Sequence, residues 1–340
     1  MAQPVLRAAV VGAGGIAHSV HLPALGEIAN VELVGVCDLD RDRARAAAER
    51  FGIAACFTDH REMLNNARPE AVFVLVQPDQ AFRVSLDCLR AGRHVFVEKP
   101  PGVTAYQAET LDREARRAGM ICQVGFNRRF IPLVRNIVKR LRALARIHQI
   151  DCWFFKNGAA AFYQGCVSAY MCDTIHAIDL VRHIAGAEPA HLAQLTSRHN
   201  ESPVDNAWNA LIGFENGVCG TVRANYETGG RVHGLAIHTA RASAYIDLGF
   251  GAEECSARIL HHRESTASLA SQGAGLQEIE RVDGMEAAGS DAYHRYYGYY
   301  GEDEAFVRAV LDGTPSQCGI GEAAKSMRLA ERLCAAERHV

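Results

Sequence analysis

The sequence predicts a mixed α/β protein whose first part is a doubly wound parallel sheet of the Rossmann kind, followed by an α+β part with a large open antiparallel sheet. Three observations carry that reading. Short apolar runs alternate with longer helical patterns through the first 125 residues, the signature of repeated strand–helix–strand units. The run Ala71–Val76 is apolar at every position, as a strand buried on both faces must be. A glycine-rich turn, Gly12-Ala13-Gly14-Gly15-Ile16-Ala17, links the first strand to the first helix.

In chain order, Leu6–Val11 reads as a strand, His18–Ile28 as a helix and Val31–Cys37 as the second strand. Asp40–Phe51 is helical and stops at Gly52; Phe82–Ala91 is helical and stops at Gly92. His94–Val97 is the next strand, Ala105–Ala118 a helix ending at Gly119, and Met120–Gly125 the last strand of the series. The texture then changes, which divides the chain into residues 1–125, a dinucleotide-binding domain, and 126–340, a substrate-binding domain. Leu133–Leu144 is a helix, Arg146–Phe155 an extended stretch, and Asp173–Ile184 a helix. Ala190–Leu260 reads as strands with hairpin signals, the plainest being Asn216-Gly217. Glu264–Asp291 lacks periodicity and is expected to be a loop; Asp303–Leu311 and Glu322–Arg338 are expected to be helices.

The bulk numbers exclude several classes. A charge of −3 over 340 residues, with both signs interspersed, leaves no electrostatic footprint for nucleic acid or an anionic membrane. No apolar run reaches the ~18 residues that span a bilayer. Eleven cysteines, odd in number and without a Cys-x-x-Cys pair, read as reduced thiols. Met1 leads directly into a strand pattern with no room for a signal peptide, so a cytoplasmic location is expected. His261-His262 and the scattered cysteines have no metal-ligand spacing, so no metal is expected. Gly319–Ser326 imitates a phosphate loop but has Ala324 where that loop needs glycine.

The turn at Gly12 fits G-x-G-x-x-G/A. Gly12 allows the tight turn, Gly14 lets backbone approach a pyrophosphate, and Gly15 and Ile16 lead into a helix start that favours negative charge. The second strand ends 26 residues after Gly12 at Asp38, a carboxylate suited to a ribose diol and repelling to a 2′-phosphate. NAD is therefore expected as cofactor, ahead of NADP; a tight turn without ligand is the alternative.

Of 36 basic residues only four are lysines: Lys99, Lys139, Lys156 and Lys325. Lys99 stands in Glu98-Lys99-Pro100-Pro101, where a strand ends and ligands of an open α/β sheet collect. An arginine there could not exchange a proton, whereas an amine can. The alternative is a surface lysine on a turn.

With these residues the sequence resembles the Gfo/Idh/MocA oxidoreductase family, the group of glucose–fructose oxidoreductase and inositol dehydrogenase. The matching features are the Gly12 loop with His21-Leu22-Pro23-Ala24-Leu25, the Gln77-Pro78 turn, Ala91–Val95 leading into Glu98-Lys99-Pro100, and the His176–Gly186 segment. The resemblance implies that Gln77, Pro78, Glu98 and Lys99 border the cofactor and that Lys99 contacts the substrate hydroxyl and nicotinamide ribose. It implies an open antiparallel sheet in the second domain, used for homodimer or homotetramer contacts. It further implies hydride transfer between nicotinamide and a secondary alcohol or ketone of a sugar, nucleotide-sugar or cyclitol. The same fold also supports tightly held, recycled NAD acting through a transient keto-sugar, or a non-catalytic NAD sensor.

In the second-domain segment the family pattern is Asp-x-Gly-x-His-x-x-Asp. Aligned on His176 and Asp179, the acid slot holds Cys172, and Asp173 is one position late. His176 is the natural proton acceptor; Asp173 either orients it or serves as a helix N-terminal charge. Asn127 and Arg128 open the second domain as candidate substrate contacts, with a structural ion pair the alternative for the arginine. Lys156, Tyr163 and Gln164 are further candidate substrate contacts. The aromatic run Tyr293–Tyr300 reads as helix-start packing or an oligomer contact, with a sugar-stacking platform the alternative.

Overall fold

The computed structural model describes residues 4–162, 165, 167–251, 254–261 and 278–339. The chain forms two compact units, each assembled from separated stretches: 1–130, 161–175 and 297–331 make the first, and 131–160, 176–296 and 332–340 the second. No helix among the described residues is long and apolar enough to cross a membrane.

The first unit holds strands β1 (Leu6–Val11), β2 (Val31–Cys37), β3 (Cys56–Phe57), β4 (Ala71–Val74), β5 (His94–Glu98) and β6 (Cys122–Gly125). They pair in the parallel order β3-β2-β1-β4-β5-β6, which brings the ends of β1, β4 and β5 side by side. The crossovers are α1 (Leu22–Glu27), α2 (Arg41–Phe51), α3 (His60–Asn66), α4 (Pro78–Arg90) and α5 (Ala105–Ala118). Local chemistry places their ends. Asp40 caps α2 by accepting from the Asp42 and Arg43 N–H groups, and Thr104 caps α5 through Gln107. The helix α3, not expected from the sequence, is seven residues long and capped by Asp59. It is too short for its apolar period to stand out.

The chain returns to this unit near its end. Phe306 packs edge-on against Phe73 of β4 and Phe96 of β5, whose rings stack at 5.1 Å. All three rings are fully buried, each worth about 1.5–3 kcal/mol in area removed from water.

The second unit begins with α6 (Pro132–Leu144) and β7 (Ile147–Asn157); β8 (Ala161–Phe162) and β9 (Val167–Ser168) form a small hairpin in the first unit. Then follow α7 (Ile175–Ala185), β10 (Pro189–Ser197), β11 (Ala207–Phe214), β12 (Cys219–Asn225), β13 (Glu227–Thr239), β14 (Ala242–Leu248), β15 (Cys255–His261) and β16 (Glu278–Asp283). Short helices α8 (Gly284–Ala288) and α9 (Tyr293–Tyr296) follow; α10 (Tyr299–Asp312) and most of α11 (Ile320–Ala335) belong to the first unit, and β17 (Glu337–His339) to the second. The sheet of the second unit has nine strands in the order β16-β15-β14-β13-β7-β12-β11-β10-β17. It is mostly antiparallel; β7–β12 and β10–β17 are parallel. Strict alternation, as in β14 (buried at Ala242, Ala244, Ile246 and Leu248), gives it one covered face. Helix α6 lays Leu133, Ile137 and Leu141 into that core. The Asn216-Gly217 turn forms as expected: Gly217 takes φ +80, its N–H donates to Phe214 C=O, and Asn216 Oδ1 accepts from Val218.

Two expectations need correction. The stretch Glu264–Asp291, read as a loop, contains β16 and α8; residues 262–277 lie outside the described residues. As the outermost strand, β16 carries charges at Glu280 and Arg281 that blur its alternation, a common property of edges. The last helix, read to Arg338, ends at Ala335, because residues 337–339 pair with Gln194–Thr196 of β10. Pairing in the sheet overrides a helical propensity of only a few tenths of a kcal/mol per residue, of order ~0.5.

Candidate active site

The carboxyl edge of the parallel sheet gathers most of the predicted positions. Gly12 has φ +100, and a Cβ there would sit 2.4 Å from the Leu75 carbonyl oxygen, so only glycine fits between β1 and β4. Its N–H donates to Cys37 C=O at 2.7 Å. A Cβ on Gly14 or Gly15 would meet nothing within 4 Å, which leaves an open cradle above the turn. Ile16 is half-buried, and a π-helical turn, Ala17–His21, runs from it into α1. At the end of β2, Asp38 is held by two backbone donors: Oδ2 accepts from Ala13 at 2.8 Å and Oδ1 from Asp40 at 2.9 Å. This ties the acid to the glycine turn and fixes its orientation. Open space over the glycines, a helix start and a preset carboxylate fit a dinucleotide: the glycine turn for the pyrophosphate and Asp38 for the adenosine ribose. Leu39, beside Asp38, is 92% exposed, an apolar surface that the sequence reading passed over because nothing local marks it.

Beyond β4, Gln77 is exposed as the residue before α4 and Pro78 occupies its first turn. Beyond β5, Lys99 is half-buried, and its Nζ donates to the Cys172 carbonyl at 3.1 Å. Cys172 lies in a second π-helical turn, Tyr170–Thr174, which runs into α7. Such turns recur at functional sites. Glu98 turns its carboxylate inward: Oε1 faces His21 Nε2 at 3.0 Å, and Oε2 accepts from the Lys99 backbone N–H at 2.9 Å.

Asp173 is half-buried in the same π turn, ahead of α7, which begins only at Ile175. His176, 8% exposed, and Asp179, 1% exposed, belong to α7 in the second unit. Asn127 and Arg128 sit in a 3-10 turn of the first unit, both buried, with the Asn127 amide donating to Tyr297 C=O at 2.9 Å. Lys156, on β7 of the second unit, lies 5.0 Å from the centre of the Tyr226 ring. Tyr163 and Gln164 lie outside the described residues. The first unit thus brings together Gly12, Gly14, Gly15, Ile16, Asp38, Gln77, Pro78, Glu98 and Lys99 at one sheet edge. Three buried groups behind Lys99 escaped the sequence reading as site residues: His21, Glu302 and Asp303. His21 showed only as part of a motif, and no local signal connects it to residues nearly 300 positions away.

Comparison with known proteins agrees with this geometry. The family model described as "Oxidoreductase family, NAD-binding Rossmann fold" matches residues 6–126, and the Gfo/Idh/MocA C-terminal domain model matches residues 143–245. D-glucoside 3-dehydrogenase of Escherichia coli (strain K12) is 36% identical over 130 residues, 38% of this chain and 37% of that protein. The scyllo-inositol 2-dehydrogenase (NAD(+)) of Bacillus subtilis (strain 168) is 26% identical over 230 residues, 65% of this chain and 67% of its own. The match to the Escherichia coli protein therefore spans well under half of that protein's length. A dehydrogenase structure from Chromobacterium violaceum superposes with a TM-score of 0.87 at 22% identity, covering 98% of this chain and 96% of that one, which shows a shared fold. Both halves of the chain match one family's paired domains: it belongs to the Gfo/Idh/MocA oxidoreductase family.

Proposed function

We propose that this protein is an NAD-dependent oxidoreductase acting on a secondary alcohol, or the matching ketone, of a sugar, nucleotide-sugar or cyclitol. The observation that carries the reading is the Lys99 ammonium, held by the Cys172 carbonyl at the end of β5, on the same sheet edge as the Gly12 turn and Gln77-Pro78. When bound, the cofactor supplies the hydride acceptor or donor. The chain's own residues bind, orient and move protons. The Gly12–Ile16 backbone holds the pyrophosphate, and Asp38 holds the ribose. Because both Asp38 oxygens accept from backbone N–H groups, the carboxylate stays fixed beside the ribose, which favours NAD over NADP. Lys99 stabilises the developing oxyanion and exchanges the hydroxyl proton; His176 is the further candidate proton acceptor and Asp173 its candidate partner. Asn127, Arg128, Lys156 and Tyr163 shape specificity for a polyhydroxylated substrate.

In this reading residues 1–125 serve the cofactor and 126–340 the substrate and assembly, in the cytoplasm. Assembly as a homodimer or homotetramer is supported by the uncovered sheet face. Strand register puts Leu195, Leu211, Val232 and Ile279 on that face, exposed by 51%, 50%, 48% and 56%.

The test is a panel of polyols, aldose sugars and nucleotide sugars with NAD, followed at the absorbance of NADH. Lys99→Arg should lower turnover at least about 100-fold while NAD still binds. Near-normal turnover by Lys99→Arg sinks the proton-transfer role, and NAD binding without reduction across the panel favours a sensor.

A further inference from the structure

Behind Lys99 lies a buried charged cluster that the proposed reaction does not itself use. His21, from the π turn before α1, is fully buried, with its ring edge-on to Phe96 and Tyr299 at 5.3 and 5.7 Å. Its Nδ1 is 3.0 and 3.1 Å from the two oxygens of Asp303 on α10, itself fully buried. Its Nε2 is 3.0 Å from Glu98 Oε1 on β5. The other Glu98 oxygen accepts from the Lys99 backbone N–H at 2.9 Å.

We propose that His21 and Asp303 are positioning residues for Lys99: the ring, donating from both nitrogens, clamps Glu98 so that its second oxygen fixes the Lys99 backbone at the end of β5. The inference rests on the reading of Lys99 as the proton-transfer group.

With both carboxyl groups ionised, each can only accept, and a neutral imidazole has only one N–H, so a ring with a carboxylate on each nitrogen is held at both ends as imidazolium. Burial by itself works against that charge, but Asp303 and Glu98 outweigh it and hold the His21 pKa well above its ordinary value. Glu302, the neighbour of Asp303, completes the cluster. It is fully buried, and neither carboxyl oxygen has a hydrogen-bond partner among the described residues. Burial, with Glu98 and Asp303 nearby, drives its pKa well up against the opposing pull of His21 and Lys99, which favours the neutral acid. A buried cluster of this kind is costly to disturb at one member, because the partner is left uncompensated.

His21, Glu98 and Glu302 also present ligand atoms within 4.8 Å of one another, the span of a small cation site. The hydrogen-bonded arrangement needs only a proton on each ring nitrogen and accounts for Asp303 as well, so a cation is the outcome that overturns it.

Full-length protein labelled with ¹⁵N-histidine tests the clamp independently of catalysis. At pH 8 one ring, identified by its loss in His21→Gln, should show the nitrogen shifts of an imidazolium. A neutral ring, or one equivalent of bound metal by elemental analysis, overturns the proposal. Amide exchange at Lys99 should quicken at least tenfold in His21→Gln, and turnover on whichever panel polyol is oxidised should fall at least tenfold, with its KM and the NAD dissociation constant within twofold. If His21→Gln does not fold, Asp303→Asn preserves shape while removing one charge; its turnover should fall with the same pattern. Unchanged Lys99 exchange and turnover in these variants overturn the clamp. Should Lys99→Arg keep normal turnover, the reading of Lys99 fails, while the imidazolium signal stands or falls separately.

Discussion

The two sheets of this protein carry function in different ways. In the six-stranded parallel sheet the proposed site is set by backbone at strand ends: Gly12 pressed against Leu75, the Ala13 N–H that holds the Asp38 carboxylate, and the Lys99 N–H that holds Glu98. In the second unit the positions that the proposed function draws on are side chains: the candidate proton acceptor His176 on α7 and the exposed apolar residues of one sheet face. Backbone sites tolerate almost no substitution but recur as motifs. Side-chain sites can be exchanged one at a time without moving the backbone that carries them.

Substitutions can break or sharpen this contrast, and the largest effect is expected in the parallel sheet. Gly12→Ala puts a Cβ 2.4 Å from the Leu75 carbonyl oxygen at φ +100, so the turn must move. NAD affinity by calorimetry should fall at least about 100-fold, the scale of losing a preorganised site rather than one contact. Affinity within threefold of the parent would erase the backbone half of the comparison. Next comes His176→Gln, which should lower turnover by about 100-fold with NAD affinity unchanged. A parallel loss of NAD binding would show that the second unit also works through its backbone.

A smaller effect is expected at Gly220 on β12, where a Cβ would sit 2.7 Å from Val181 of α7 and 3.0 Å from Phe214. Gly220→Ala should destabilise by about 1–3 kcal/mol in denaturant titration, since overpacking must be relieved by movement. Here too NAD affinity should hold. The smallest effect is the pH dependence of stability. His21 has a pKa raised above 6.5, so its contribution is complete below that pH and is lost as pH rises toward its folded value. Glu302, raised above 4.5, acts in the same direction: the unfolded chain releases its proton first, and stability falls with rising pH. The melting temperature should therefore decline from pH 6 to pH 9.5, and Glu302→Gln should make that decline shallower. An identical slope in the variant would mean that Glu302 is ionised in the folded protein.

The legibility of the molecule follows the same division. The helix stops at Gly52 and Gly119, the hairpin at Asn216-Gly217 and the turn at Gly12 were readable because each rests on contacts within a few residues. Strand β16 and the end of α11 were misread because their states depend on partners far along the chain, β15 and β10. Asp173 shows a third case: read as a residue of the helix, it lies in a π turn ahead of α7, which begins at Ile175.

By itself the sequence determined the parallel α/β architecture, the dinucleotide turn, Asp38, Lys99 and the family, all through local pattern and backbone constraint. Only the tertiary structure decided that α10 returns to the first unit and places Asp303 on a histidine 282 positions earlier. It likewise decided that Glu98 faces inward to that histidine. A hydrogen bond between residues so distant leaves no periodicity or spacing behind it; it exists only once the chain has closed on itself and excluded water around the charge.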